Sequence, residues 1–444
     1  MSSPHTYQAD PAGETEAAWP SEIWASRISR IIWLACVAAG LALSVYVASK
    51  ARYSGEDSWL PMNHALKFLH SSSAELVYQK LFFLDHVKFQ YPPNALLILD
   101  LFNRMGITTN LQLNYINAGL LIATGLVFSV FSAEMLGHIQ YRGLSIPIGP
   151  IAFLVTLRFY PNYLAFQIGQ MQVLLGLLFL LACWALLRSR QVLSGCLIAV
   201  VILVKPQLFL LGLLALWQKK WRFVAGFTAI LAVTVMLSIG LYGFRNHVDY
   251  LNVLAFLSRH GEYQHLNQSV DGILIRWLYH GPSLDRDTHG LIPQSMFPPY
   301  IAGAYFATIL TSAVMILIPF VIRARGADQF SSLLAFCTAS LLFTMASPIA
   351  WVHHYNIMLP AYVVALKAIF DRRKGTQAHI YKALLAASFL LTGYPLVPAG
   401  DPTVPSQNLL QSHVFIGVLI LVGILLREIH ASTLSHRTVA TSST

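Results

Sequence analysis

The chain has 444 residues, 56% of them hydrophobic and only 11% charged, with a mean hydropathy of +0.59. Soluble domains carry about a quarter charged residues, so an array of soluble domains, which this length would otherwise suggest at roughly 150 residues each, is excluded. The net charge of +10 belongs to membrane topology, because no stretch combines dense basic charge with stacking aromatics, and nucleic acid is not expected as a partner.

In chain order, residues 1–30 are polar and mixed in charge and read as a cytoplasmic tail without fixed structure. The first apolar run starts at Ile31, later than a secretory signal would place it, so 31–48 reads as a retained first span. Segment 49–92 is then the first large extracytoplasmic loop. In it Met62, Ala65, Leu66 and Leu69 repeat at i, i+3, i+4, i+7 opposite Asn63, His64, Lys67 and His70, which predicts an amphipathic helix in the interface plane. Ser72 and Glu75 form a capping box for a second such helix over 73–83. Two interfacial helices suit an enzyme acting on a lipid-borne substrate better than a transporter. The run 94–103 is too short to span and reads as re-entrant or as part of a tilted helix.

Further apolar segments fall at 111–136, 144–159, 171–187, 192–217, 222–243, 300–322, 330–346, 354–370, 380–397 and 409–426. The expected fold is all-α, a polytopic membrane protein of about 11 transmembrane helices. A single membrane domain covers 31–430, with a second large loop at 245–299 and a cytoplasmic tail at 431–444. Four basic clusters, at Lys219-Lys220-Arg222, Arg323-Arg325, Arg372-Arg373-Lys374 and Arg427, fall on one side, which the positive-inside rule makes cytoplasmic. Arg188 and Arg190 would share that side if 192–217 were a hairpin turning at Lys205-Pro206, where proline breaks the helix. The four cysteines lie in apolar stretches and read as structural thiols.

Candidate chemistry sits where polar residues persist at membrane ends, since burying them is costly without a purpose. Asp57 follows the first span and offers a general base at a lipid–water boundary; the other reading, favoured by spacing alone, is that Asp57 or Ser58 caps the next helix. Tyr91-Pro92-Pro93 stiffens the return to the membrane or is only a turn. Gln170 and Gln172 open a span, where the amides bind sugar hydroxyls or cap the helix. Lys205 in an apolar stretch calls for an anion, either a lipid phosphate or a structural partner. Asn267-Gln268-Ser269 precedes Arg276, whose planar fork suits phosphate; the sequon Asn267-Gln268-Ser269 is a weak glycosylation signal. Asp285–Met296 begins like a calcium loop but lacks the acidic twelfth position. In Ser347-Pro348…Trp351…His353-His354, one of the two histidines is expected to face the cavity, for proton transfer or a phosphate hydrogen bond, and zinc spacing is lacking.

In order, Asp57, Tyr91-Pro92-Pro93, Gly169-Gln170, Lys205-Pro206, Asn267-Gln268-Ser269…Arg276 and Ser347-Pro348…Trp351…His353-His354 resemble the motifs of glycosyltransferase family 87 over most of the chain. Two places depart from its pattern: Ser58, Trp59 and Pro61 follow the Asp, and Gln172 stands where the family tends to have Asn. The resemblance implies the GT-C membrane fold, a polyprenyl-phosphate sugar as donor co-substrate, a glycan or glycolipid acceptor, and no tightly bound cofactor, with metal dependence left open. It implies inverting transfer of a sugar, mannose being the commonest, on the extracytoplasmic face of a bacterial cytoplasmic membrane. It raises Asp57 to general base, with Glu56 the rival. It gives Lys205, Arg276, His353 and His354 to the donor phosphate, and Tyr91, Gln170, Asn267, Gln268 and Trp351 to the substrates. A lipid-linked-sugar transporter or flippase is the alternative, and it would predict paired inverted halves that the sequence lacks. A non-catalytic scaffold would not need this convergence of charge.

Overall fold

A computed structural model describes residues 20–71, 75–137, 139–141, 144–279, 297–322, 328–396 and 409–442, with the side chains of 20–25, 141 and 432–442 left aside. The architecture is all-α apart from a small hairpin, β1 (Gln140–Tyr141) and β2 (Leu144–Ser145). Among the described residues five helices are long and apolar enough to cross a bilayer: Ser26–Tyr53, Asn110–Leu136, Trp221–Tyr242, Ala302–Val321 and His413–Ala431. They belong to α1 (Pro20–Lys50), α4 (Asn110–Leu136), α10 (Trp221–Tyr242), α13 (Ala302–Val321) and α17 (His413–Ser442). Residues 20–30 and 431–442, expected as tails, therefore continue terminal helices, because nothing there breaks them.

Several expected spans are shorter or interrupted, each for a visible reason. Segment 144–159 begins as β2 and only then becomes α5 (Ile148–Arg158), and α6 (Tyr160–Gln167) restarts after Phe159 with Pro161 in its first turn. Segment 192–217 divides at Lys205-Pro206 into α8 (Gln191–Ile202) and, after a 3-10 turn over Pro206–Phe209, α9 (Leu210–Trp217). Both short helices pack against α10. The helix expected from residue 354 starts later, as α15 (Met358–Arg372), behind a 3-10 turn over Val352–Ile357. The remaining apolar segments form α7 (Gln172–Leu187), α14 (Gln329–Met345) and α16 (Gly375–Gly393).

The centre is built from α4, α7, α14 and α15. Helix α14 is buried along nearly its whole length, and its buried Thr338, Ser340 and Thr344 hydroxyls donate to carbonyls one turn earlier. The first loop carries α2 (Trp59–His70) and α3 (Leu96–Arg104). The apolar stripe of α2 is spent on protein: Met62, Ala65 and Leu66 are buried in the main core. Internal packing thus accounts for the periodicity that had predicted an interfacial helix. The helix expected over 73–83 is a π-turn over Gln79–Leu84, and Ser72 of its capping box lies outside the described residues. The loop after α10 contains α11 (Phe244–His260) and α12 (Val270–Leu278); the calcium-like stretch Asp285–Met296 lies outside the described residues.

Candidate active site

The loop that follows α1 is stitched to the segment joining α6 and α7. Gly55 N, Asp57 N and Ser58 N donate to the carbonyls of Gln167, Ile168 and Gly169 at 2.7, 2.9 and 3.3 Å. This contact requires glycine at 169, whose φ is +66° and whose absent Cβ would lie 1.9 Å from Gly55 O. From the other side Asn114 on α4 donates to the carbonyls of Ser54 and Gly55 and accepts from Trp59 Nε1 at 3.0 Å. Asp57 is thereby fixed by backbone held from two directions.

Its carboxylate accepts a hydrogen bond from Gln170 Nε2. The orientation of that amide is set on its far side. Ser58 Oγ donates to Gln170 Oε1 at 2.7 Å, and Tyr91 Oη lies 3.0 Å from the same oxygen and 2.8 Å from Ser58 Oγ. With hydroxyls on the oxygen, the NH2 group must face Asp57. Neither Asp57 nor Ser58 caps α2 through its side chain: Ser58 Oγ instead takes the backbone N–H of Met171 at 3.0 Å. Gln170 and Gln172 cap nothing either, and Gln172 donates to Asn356. Glu56, the rival base, turns outward to accept from Asn110 at 2.6 Å.

Asp57 lines a cavity with about 130 Å³ of water-accessible space, shared with Lys88, Gln90, Tyr91, Gln170, Lys205, Trp351, His353 and His354. Burial is the main cause raising the Asp57 carboxyl above the ordinary carboxylate value, with Glu262 adding to it; the charge of Lys88, the Gln170 hydrogen bond and Lys205 hold it back. Both histidines reach the cavity, where one had been expected, because Val352–Ile357 is a tight 3-10 turn rather than α-helix. Their rings meet edge to face at 4.6 Å. Burial first, then the charge of Lys205, holds both imidazoles well below their ordinary value, so both are neutral. His354 Nε2 accepts from Lys205 Nζ, which leaves its proton on Nδ1; that atom has no hydrogen-bond partner among the described residues. No carboxylate among the described residues lies within ion-pair distance of Lys205, which removes the structural-partner reading of that lysine.

Three expected site residues stand behind the cavity wall. Arg276 is fully buried and donates to the carbonyls of Gln264 and Asn267 and to Ser412 Oγ. Asn267 is equally buried: its amide nitrogen reaches Glu262 O and Pro348 O, and its oxygen takes Ala350 N. Gln268 ties His265 O, Gln411 O and Phe415 N. These polar groups are consumed by backbone, so they brace the cavity and do not line it, and the buried sequon offers no glycan site. In their place stand two residues the sequence did not single out. Lys88 sits 3.8 Å above the Trp351 ring and 3.5 Å from Glu262, and Glu262 accepts from Trp351 Nε1 at 2.5 Å and Gln90 Nε2 at 3.0 Å. The only sequence cues are proximity: Lys88 lies two residues before Gln90-Tyr91, and Glu262 five before Asn267.

The arrangement brings one buried carboxylate, two lysines and two imidazoles around a single small cavity. Compared with known proteins, residues 89–348, more than half of the chain, match the model of glycosyltransferase family 87. Asp57 precedes that stretch, and Trp351, His353 and His354 follow it. No curated protein matches the chain.

Proposed function

The chain belongs to glycosyltransferase family 87 and is thus a membrane glycosyltransferase, and on that premise we propose that its cavity transfers a sugar from a polyprenyl-phosphate donor to a hydroxyl of a glycan or glycolipid, with inversion. Asp57 removes the proton from the acceptor hydroxyl as that oxygen bonds to the anomeric carbon. The bond from the anomeric carbon to the phosphate oxygen breaks, and its electron pair leaves on the phosphate. One negative charge thus passes from Asp57 to the departing lipid phosphate while the total charge of the site stays constant. Lys205, Lys88 and the Nδ1 proton of His354 meet that charge. Because the leaving group is countered by side chains, the reading needs no tightly bound cofactor.

The observation that carries this reading is the shared cavity: a desolvated carboxylate, held by Gln170, faces two lysines that supply the charge a phosphate needs. Tyr91, Gln170 and Trp351 offer the polar and aromatic lining that suits a sugar. The cavity lies at the N-terminal end of α7 and α15 and the C-terminal end of α8. Arg188, Arg190, Lys219, Lys220, Arg372 and Arg373 lie at the opposite ends of these helices and of α9. That distribution supports an outward-facing site under the positive-inside rule, and we assign the reaction to the bacterial cytoplasmic membrane, with mannose as the sugar.

The test is transfer of radiolabelled mannose from a polyprenyl-phosphate donor in membranes containing the protein. Consumption of donor with release of polyprenyl phosphate is expected. Movement of intact donor between leaflets without consumption would instead fit a flippase and end the proposal.

A further inference from the structure

Glu262 does not line the cavity, yet it touches three residues that do. Its Oε1 lies 3.5 Å from Lys88 Nζ and accepts from Gln90 Nε2, and its Oε2 accepts from Trp351 Nε1. The result is that the Lys88 ammonium rests 3.8 Å over the face of Trp351. A cation there is attracted by the ring quadrupole, and it covers the aromatic surface against which a sugar would stack.

We propose that Glu262 is a positioning residue that parks Lys88 over Trp351 until a donor phosphate draws the lysine away and exposes the ring to the donor sugar. The inference rests on the lipid-phosphate reading of the cavity. Three features limit the cost of the release. Glu262 keeps its hydrogen bonds from Gln90 and Trp351 when Lys88 departs, so its oxygens stay satisfied although its charge loses a partner that the donor phosphate must outcompete. Trp351 stays in place, because it is also bridged through its backbone to Asn267. Lys88 itself moves on a flexible four-carbon stem within a cavity that already contains Lys205 and Asp57. Glu262 is in turn held firmly: Gly261 before it has φ +60° with Asp271 Oδ2 where a Cβ would fall, and Asn267 Nδ2 donates to the Glu262 carbonyl at 3.1 Å.

The latch makes recognition of the phosphate and of the sugar one coupled event. Phosphate alone uncovers the ring. A neutral sugar meets it covered.

The experiment titrates the full-length protein in detergent with a short-chain prenyl phosphate lacking sugar. Tryptophan emission is followed, and inhibition of sugar transfer reports occupancy. The chain has nine tryptophans, so W351F is run as the blank. A wild-type emission change absent in W351F, with the same midpoint as inhibition, is expected. Full inhibition with identical emission responses in the two proteins overturns the latch alone, whereas no inhibition at any concentration withdraws the donor reading and the latch together. E262Q, which still accepts from Trp351 but no longer holds the ammonium, is expected to bind the prenyl phosphate about tenfold tighter, with a lower donor KM. E262D is expected to restore weaker binding. A merely structural Glu262 would give weaker binding in E262Q, and equal or weaker binding by folded E262Q overturns the proposal. Should E262Q not fold, K88M decides: it leaves the Glu262–Trp351 bond intact and is expected to abolish the emission change, and a retained change overturns the latch.

Discussion

Gln170 Nε2 donates directly to Asp57 Oδ2 across 113 residues of sequence. The bond stabilises the charged carboxylate that burial would otherwise neutralise. The balance between the two sets the pH at which Asp57 ionises.

Replacing Asp57 by Asn keeps an oxygen for Gln170 to bond and removes only the proton acceptor. General-base catalysis contributes about 10²–10⁴-fold, so D57N is expected to lose at least that factor in sugar transfer while unfolding at the wild-type temperature in detergent. Wild-type turnover in D57N would remove Asp57 from the chemistry.

A hydrogen bond to the ionised form lowers a carboxyl's pKa, so losing it raises the pKa. The wild-type rate should fall on the acid side as Asp57 takes up a proton, with a midpoint above 3.8 because burial raises the group. In Q170L that acid limb is expected to move to higher pH. The kcat/KM-versus-pH profiles of the two proteins check this, and coincident limbs would show that Gln170 does not tune the base.

Among the described residues Lys205 meets His354 and no acid within ion-pair distance, so it is placed to meet an incoming anion. Charge-assisted hydrogen bonds contribute about 1.5–3 kcal/mol, and K205M is therefore expected to lower kcat/KM for the donor roughly 10–100-fold. Steady-state kinetics at varied donor and saturating acceptor measure it; an effect confined to acceptor KM would contradict the assignment.

Arg276 separates architecture from catalysis. R276M strands two carbonyls and Ser412 Oγ, and each buried polar group left unsatisfied costs about 1–3 kcal/mol. Reduced thermal stability and yield are expected, with donor KM in the folded fraction within about twofold of wild type. A large rise in donor KM at unchanged stability would return Arg276 to the phosphate site.

Gly169→Ala is a test of how Asp57 is held. The added methyl meets Gly55 O in a backbone conformation alanine resists, so transfer should fall by about the same 10²-fold or more, together with a lowered unfolding temperature. Normal transfer in G169A would mean that the strand-like contact between the two loops is not what places the base.

Much of the site was readable because its residues break a rule that the surrounding sequence keeps. Lys205 with Pro206 interrupts an apolar run, and Asp57 and Gln170 stand at helix ends where lipid-facing residues are otherwise apolar; all line the cavity. Arg276, Asn267 and Gln268 break the same rule and yet serve the scaffold, because a sequence displays a donor without displaying the carbonyl that consumes it. Lys88 and Glu262 escaped for the converse reason. Each is an ordinary charge in a polar loop, and only folding brings both to one indole, Lys88 over its face and Glu262 at its N–H. Among the elements, the uninterrupted spans at α4, α10 and α13 followed from apolar length alone. The 3-10 turn over Val352–Ile357 did not, because its geometry is imposed by partners distant in sequence: Val352 N and Tyr355 Oη donate to the carbonyls of Leu266 and Gln268.

Those bonds have a practical result for anyone altering specificity. The stretches 261–269 and 347–356 are joined by Asn267, Gln268 and Tyr355 so tightly that neither has a conformation of its own. Grafting either stretch from a relative with another sugar preference would import half of a lock. A chimera should carry both, with Gln411, whose carbonyl accepts from Gln268 Nε2, as the third point of attachment.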